Sequence, residues 1–170
     1  MDFRHIVKLS LADYEIALRR ALRDLTPAEL RWQPSPTANH ILWLFWHISR
    51  IEDMWSSYLS GEPEIWESAG WSARLGIDVS RNGNGDTAND VANFPDLTIE
   101  QINAYWVAAR ARLLSAIEAL GADDLETTYP GRGRDPAPTM AWALARIPVE
   151  NSQHIGQIAY IRGLLRGSVG

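Results

Sequence analysis

Apolar and polar residues recur along this chain at the spacing of amphipathic helices. From residue 3 to residue 24, an apolar residue returns every three or four positions with charged residues between, which predicts a first helix. Residues 98–120 and 139–166 show the same pattern. Residues 39–60 predict a second helix of another kind, because its first half, ILWLFWHI, is apolar on every side. The chain therefore predicts an all-α fold, a four-helix bundle in one domain over residues 1–170.

Local signals mark the ends of these helices. Thr26 and Thr98 each begin a capping box, in which the threonine and the residue three positions later bond to the free backbone N–H groups of a helix start. The first box predicts a short helical turn between the first two long helices. Pro148 lies within the fourth helix, where it removes one backbone hydrogen bond and predicts a kink. The alternative is that two helices meet at residue 147 or 148.

The segment between the second and third long helices, residues 61–97, shows no clear periodicity over most of its length. It is rich in Gly, Asn, Asp and Ser. A loop of this length in a compact domain is typically functional or mobile. This segment contains the aromatic residues Trp66, Trp71 and Phe94. Their positions favour a lid whose rings anchor it over the bundle. The stretch from Asp78 imitates a calcium loop for six positions, but it lacks the glutamate at position twelve.

Charge and cysteine content restrict the classes of function. The formal net charge is −5, and the basic residues are scattered rather than gathered into a stripe, so we expect no nucleic-acid partner. The absence of cysteine excludes disulfides and thiolate metal sites, so any thiol chemistry must use an external small thiol. No apolar run is long enough to span a membrane, and the first 20 residues do not resemble a signal peptide. We therefore expect a cytoplasmic protein.

The second helix needs more cover than an ordinary amphipathic helix. A helix that is apolar on all sides must be buried on all sides, and the chain also carries eight Trp against three Phe. A symmetric partner is the commonest way to supply such cover. The pattern therefore predicts a homodimer, with the lid as the competing source of cover.

Glu150 and His154 are candidate metal ligands. Residues four apart on a helix share a face, with Cβ atoms about 5–6 Å apart, so both side chains reach one ion. His47, in the densest apolar stretch, is the best candidate for a third ligand. Two imidazole nitrogens and one carboxylate leave coordination positions open, as in catalytic metal sites. The alternative for His47 is a neutral core histidine bonded to a carbonyl, and His40 is expected to be exposed.

A family resemblance strengthens the metal hypothesis. The segment ILWLFWHISRIEDMW, followed far downstream by E-x-x-x-H-x-G-Q-I-x-x-x-R-G, resembles the DinB-like superfamily of metal-binding four-helix bundles. The match runs from the first helix to Arg166. Many members carry three histidines, whereas the His, Glu, His version is similar to the metal-binding domain of mycothiol-dependent maleylpyruvate isomerase. By position, the resemblance implies that the ligands are His47, Glu150 and His154.

The donor set and the resemblance together suggest a reaction. Mixed nitrogen and oxygen donors favour zinc, while nickel or iron(II) fit the same set. The resemblance implies a small-thiol-dependent S-transferase or isomerase that uses mycothiol or bacillithiol and acts on a small electrophile. A divalent ion lowers the pKa of a bound thiol, which suits a chain without cysteine. A metal-dependent hydrolase and a non-catalytic bundle that binds a metal or small ligand are the alternatives.

Further side chains are expected around the ion. Trp43 shares the helix face of His47 and is predicted, with aromatic residues of the lid, to shape the acceptor pocket. Arg162 lies eight residues beyond His154, about two helical turns away. It is predicted to hold an anionic group of the substrate, or else to form a salt bridge at the end of the bundle. Ring nitrogens that face away from the metal need hydrogen-bond acceptors. The candidate partners are Gln157, Glu52 and Asn151.

Overall fold

The computed structural model describes residues 2–129 and 137–167. Its helices, in chain order, are α1 (Phe3–Leu22), α2 (Pro27–Arg31), α3 (Ile41–Ser60), α4 (Ile65–Ser68), α5 (Trp71–Leu75), α6 (Ala88–Ala92), α7 (Ile99–Ala119) and α8 (Met140–Arg166), with a 3-10 turn at Ala122–Asp124 before α8. No strand occurs in these ranges, so the predicted all-α bundle is confirmed, with α1, α3, α7 and α8 as its long helices. Within the same ranges, no helix is both long and apolar enough to cross a membrane.

Helix α3 forms the centre of the bundle. It packs against both α7 and α8, and α1 packs on α8. Of its 20 residues, only Met54 and Ser60 are not buried. The large rings of α3 carry much of this core, because each fully buried aromatic side chain removes about 150–250 Å² from water. Trp46, in the first half of α3, is completely buried, and its ring packs against the lid.

The lid, residues 61–97, lies on the first half of α3. The buried rings of Trp66 and Phe94 pack on Trp46, with centroids 6.1 and 5.3 Å away. Trp71 packs on Tyr105 of α7 at 5.4 Å. These contacts anchor the lid as the positions of the rings predict. The short helices α4, α5 and α6 within it were not predicted, because four or five residues are too few to show a helical period.

The predicted helix ends agree closely with the structure. The Thr26 side chain accepts from the backbone N–H of Glu29, and Thr98 does the same for Gln101, so both capping boxes form. The first of them starts α2, the short turn expected after α1. Helix α8 is continuous through Pro148, so the alternative of two separate helices meeting there is wrong.

His40 is buried, contrary to the expectation that it is exposed. Only 2% of its surface is accessible. Its Nδ1 accepts from the backbone N–H of Trp43 at 3.0 Å, which caps the start of α3, and its Nε2 lies 3.3 Å from the carbonyl oxygen of Val91. Side chains at helix starts are commonly solvated, but α6 of the lid covers this one.

The cover of α3 comes from within the chain. The lid and the other long helices bury the apolar surface that suggested a symmetric partner. The homodimer therefore stays a prediction without that support. Light scattering at micromolar concentration checks it, since it gives the molar mass directly.

Candidate metal centre

Helices α3 and α8 bring His47, Glu150 and His154 together. One potential ligand atom from each residue lies within 4.8 Å of the other two. The two imidazole rings are almost perpendicular, at 84°, with centroids 4.7 Å apart. Donors about 2.1 Å from one ion stand roughly 3.5 Å apart, so side-chain shifts of about 1 Å would bring all three to a single ion. The sequence-based choice of three residues is thus matched by their proximity.

The lid fixes which nitrogen of His47 is available. Its Nδ1 lies 2.7 Å from the backbone carbonyl oxygen of Asn82. A carbonyl only accepts, so Nδ1 carries the hydrogen and the lone pair is on Nε2. Burial lowers the pKa of His47 to about 4, although the hydrogen bond to Asn82 acts in the opposite direction. At neutral pH the ring is therefore uncharged, which is the form that binds a metal.

The lid also packs directly against the His47 ring. Gly83 has a φ of +94°, and a Cβ atom placed on it would lie 2.5 Å from Nδ1 of His47. Trp43 stacks on the same ring at 5.1 Å and donates from Nε1 to Asp86 at 2.8 Å. Sequence reasoning missed Asn82, Gly83 and Asp86. The only signal was the glycine pair in Asn-Gly-Asn-Gly, which marks close backbone approach but not its target.

The two donors on α8 have partners on their own helix. His154 Nδ1 lies 3.1 Å from the side-chain oxygen of Gln157, one of the predicted partners. Glu150 is paired with Arg146, whose Nε lies 3.2 Å from Oε2. Arg146 was missed, although its position four residues before Glu150 places both on one helix face. These contacts orient the imidazole and the carboxylate before any ion binds.

Comparison with known proteins identifies the family. A sequence model of the DinB superfamily matches residues 15–158. The chain belongs to the DinB superfamily. The crystal structure described as that of a "conserved protein of locus from Enterococcus faecalis" superposes with a TM-score of 0.85 at 22% identity, over 99% of each chain. At that identity, the likeness shows a shared fold. No curated protein matches the chain.

In this DinB-superfamily chain, Glu52 and Asn151 lie in a buried polar network. Glu52 accepts from Arg110 at 2.7 Å, from Trp106 at 2.9 Å and from the hydroxyl of Tyr14. Asn151 donates to Tyr14 at 3.0 Å and to Glu52 at 3.4 Å. The expectation that either side chain is a hydrogen-bond partner of the histidines is therefore not met. The network instead ties α1, α3, α7 and α8 together one residue from Glu150.

Arg162 lies near the C-terminal end of α8, eight residues beyond His154. Its Nη1 donates to the backbone carbonyls of Ala21 and Arg23, at 3.3 and 2.6 Å, and so fastens α8 to the end of α1. It lines a groove between α1 and α8 that contains none of the three donors. The structure thus does not bring Arg162 to the site where an anion-binding role was predicted.

Two buried histidines predict acid sensitivity of the metal-free protein. Burial lowers the pKa of His40 and of His47 from 6.5 to about 4. Between pH 4 and pH 6.5 the unfolded chain binds more protons than the folded protein. The contribution of each neutral histidine to stability is therefore present above pH 6.5 and is lost as the pH falls towards 4. Each histidine accounts for a loss of about 2 kcal/mol between pH 7 and pH 5.

Urea denaturation at pH 7 and pH 5 measures this loss. His40→Asn keeps a side chain that caps the helix and should reduce the loss by about 2 kcal/mol. The control is His5→Asn, because His5 is exposed. An equal loss in wild type and His40→Asn would contradict the assignment.

Proposed function

We propose that this chain binds a divalent metal through His47, Glu150 and His154 and uses it for small-thiol-dependent S-transfer or isomerisation of a small electrophile. The observation that carries the proposal is the convergence of the three donors within 4.8 Å, from positions about 100 residues apart in sequence. Zinc is the favoured ion, and nickel or iron(II) are compatible with the same nitrogen and oxygen donors.

The residues present fit such an ion. His47 is neutral and presents Nε2, and the contact of His154 Nδ1 with Gln157 favours Nε2 as the donor of the second ring. Glu150 supplies the one negative charge. Three protein ligands leave at least one position for an exogenous molecule, in contrast to closed structural sites with four.

The surrounding residues set the conditions for chemistry. A bound divalent ion supplies Lewis acidity, which lowers the pKa of a thiol or water that coordinates it. Arg146 holds Oε2 of Glu150 and thereby limits rotation of the carboxylate. Asn82 and Gly83 close the Nδ1 side of His47. Since the chain has no cysteine, the thiol must come from a small molecule such as mycothiol or bacillithiol.

The test is an assay of the zinc-reconstituted protein against a panel of electrophiles, with and without mycothiol, bacillithiol or glutathione. We expect turnover that requires both zinc and thiol, and Glu150→Gln should reduce it by about 100-fold or more, as expected for loss of a metal ligand. Glu126→Gln is the control, because Glu126 is exposed on the surface.

The outcomes separate the proposal from its alternatives. Turnover that is independent of thiol but abolished by Glu150→Gln would indicate a metal-dependent hydrolase. A firmly bound ion without any turnover would indicate a bundle that binds a metal or small ligand.

A further inference from the structure

The geometry points to the groove between α3 and the lid as the binding site of the electrophile, and to an uncharged molecule with a flat apolar body as its class. This inference rests on the proposed function. We call this space the lid groove. It is lined by residues Arg50, Met54, Trp55, Ser57, Tyr58, Pro63, Glu64, Trp66, Glu67, Val79, Ser80 and Asn82.

The lid groove is linked to the candidate metal centre through Asn82, although none of the three donors lines it. Asn82, whose carbonyl bonds His47, is part of its wall. Arg50 and Met54 follow His47 by three and seven residues, so they continue its face of α3 over about 10 Å. The groove encloses about 530 Å³, which is within the usual range for small-molecule sites. The groove between α1 and α8 is larger, at about 620 Å³, but includes neither a donor nor a hydrogen-bond partner of one.

The walls of the lid groove suit a flat apolar body. The rings of Trp55, Tyr58 and Trp66 line the groove, with less than a tenth of each residue accessible, and Trp55 and Tyr58 meet edge to face at 5.6 Å. Trp55 also packs on Trp142 of α8 at 5.8 Å, so this end of the groove reaches the helix that carries Glu150. Aromatic rings bind other flat rings by stacking and edge contacts.

The charges of the lid groove disfavour an anion. Its only cation, among the described residues that line it, is Arg50, and its carboxylates are Glu64 and Glu67. Arg50 pairs with Glu64 at 2.7 Å, donates to Tyr105 at 3.0 Å and lies over the Trp66 ring. An anionic ligand would have to displace Glu64 and approach Glu67. An uncharged ligand meets neither cost.

Binding of two matched probes tests the inference. In calorimetric titrations with and without zinc, 4-nitrobenzyl alcohol should bind at least about tenfold more tightly than 4-nitrobenzoate, in which an anionic carboxylate replaces the uncharged hydroxymethyl group. Met54→Trp places a large ring in the groove from a partly exposed position. It should weaken binding of 4-nitrobenzyl alcohol at least tenfold and leave the zinc affinity unchanged. Ala159→Trp, which fills the α1 and α8 groove instead, should change neither.

Glu67→Lys tests the charge argument without filling the groove. Glu67 is exposed, so the variant keeps the core intact and should strengthen binding of 4-nitrobenzoate several-fold. Equal binding of both probes to wild type, or unchanged alcohol binding in Met54→Trp, would overturn the inference. Failure to bind zinc would reject the proposed function alone, because probe binding is also measured without zinc.

Discussion

His154→Ala should weaken zinc binding by more than about 100-fold, since loss of an outer hydrogen-bond partner alone typically costs 10–100-fold. The imidazole is one of three converging donors, and no other histidine, cysteine, aspartate or glutamate among the described residues joins their group. A two-donor remnant would keep little metal after dialysis. Metal analysis of the dialysed protein, together with a zinc titration, measures the effect.

Two other substitutions in α8 serve as comparisons for this result. Gln153→Ala changes an exposed neighbour and should retain zinc as wild type does. Gln157→Ala removes the side chain that contacts His154 Nδ1. Its zinc affinity should lie between those of Gln153→Ala and His154→Ala. If His154→Ala kept the zinc content of wild type, its role as a ligand would be rejected.

Arg110→Met should lower the free energy of unfolding by about 3–5 kcal/mol, because it leaves a buried carboxylate without its cation. Glu52 is fully buried and accepts two hydrogen bonds from Arg110, each 2.7 Å long. Burial of an unpaired charge costs far more than loss of an exposed ion pair. Urea denaturation at pH 7 measures the change.

A second substitution separates charge from packing. Glu52→Met combined with Arg110→Met removes the unpaired charge and should recover part of the lost stability. Arg112→Met, on the same helix but only partly buried, should cost less than about 0.5 kcal/mol. A double variant less stable than Arg110→Met would show that the network contributes through its hydrogen bonds to Tyr14, Trp106 and Asn151.

The long helices were predictable because their signals are local. The capping threonine at Thr98 and a helical apolar period are signals in consecutive residues. The short helices of the lid are stabilised by contacts such as Trp66 on Trp46, which involve residues far apart in sequence. The burial of His40 was missed for the same reason, since the residue that covers it belongs to α6.

The candidate site was predictable only as far as side-chain chemistry reaches. Glu150 and His154 follow from the spacing of four, His47 follows from its place in the densest apolar stretch, and the family resemblance implied all three. The partner of His47 is the backbone carbonyl of Asn82. Because every residue has a backbone carbonyl, the residue type does not show which one bonds His47. The spacing correctly placed Arg162 on the same helix as His154. It did not predict the direction of the guanidinium group, which points to the end of α1.

One residue of the lid connects the candidate metal centre with the lid groove. The carbonyl of Asn82 holds His47, while the same residue lines the lid groove. A molecule in the groove that shifts Asn82 would also shift His47, the proposed metal ligand, so the two affinities would be thermodynamically linked. By reciprocity, whatever factor the ion adds to the affinity of the groove ligand, that ligand adds to the affinity of the ion.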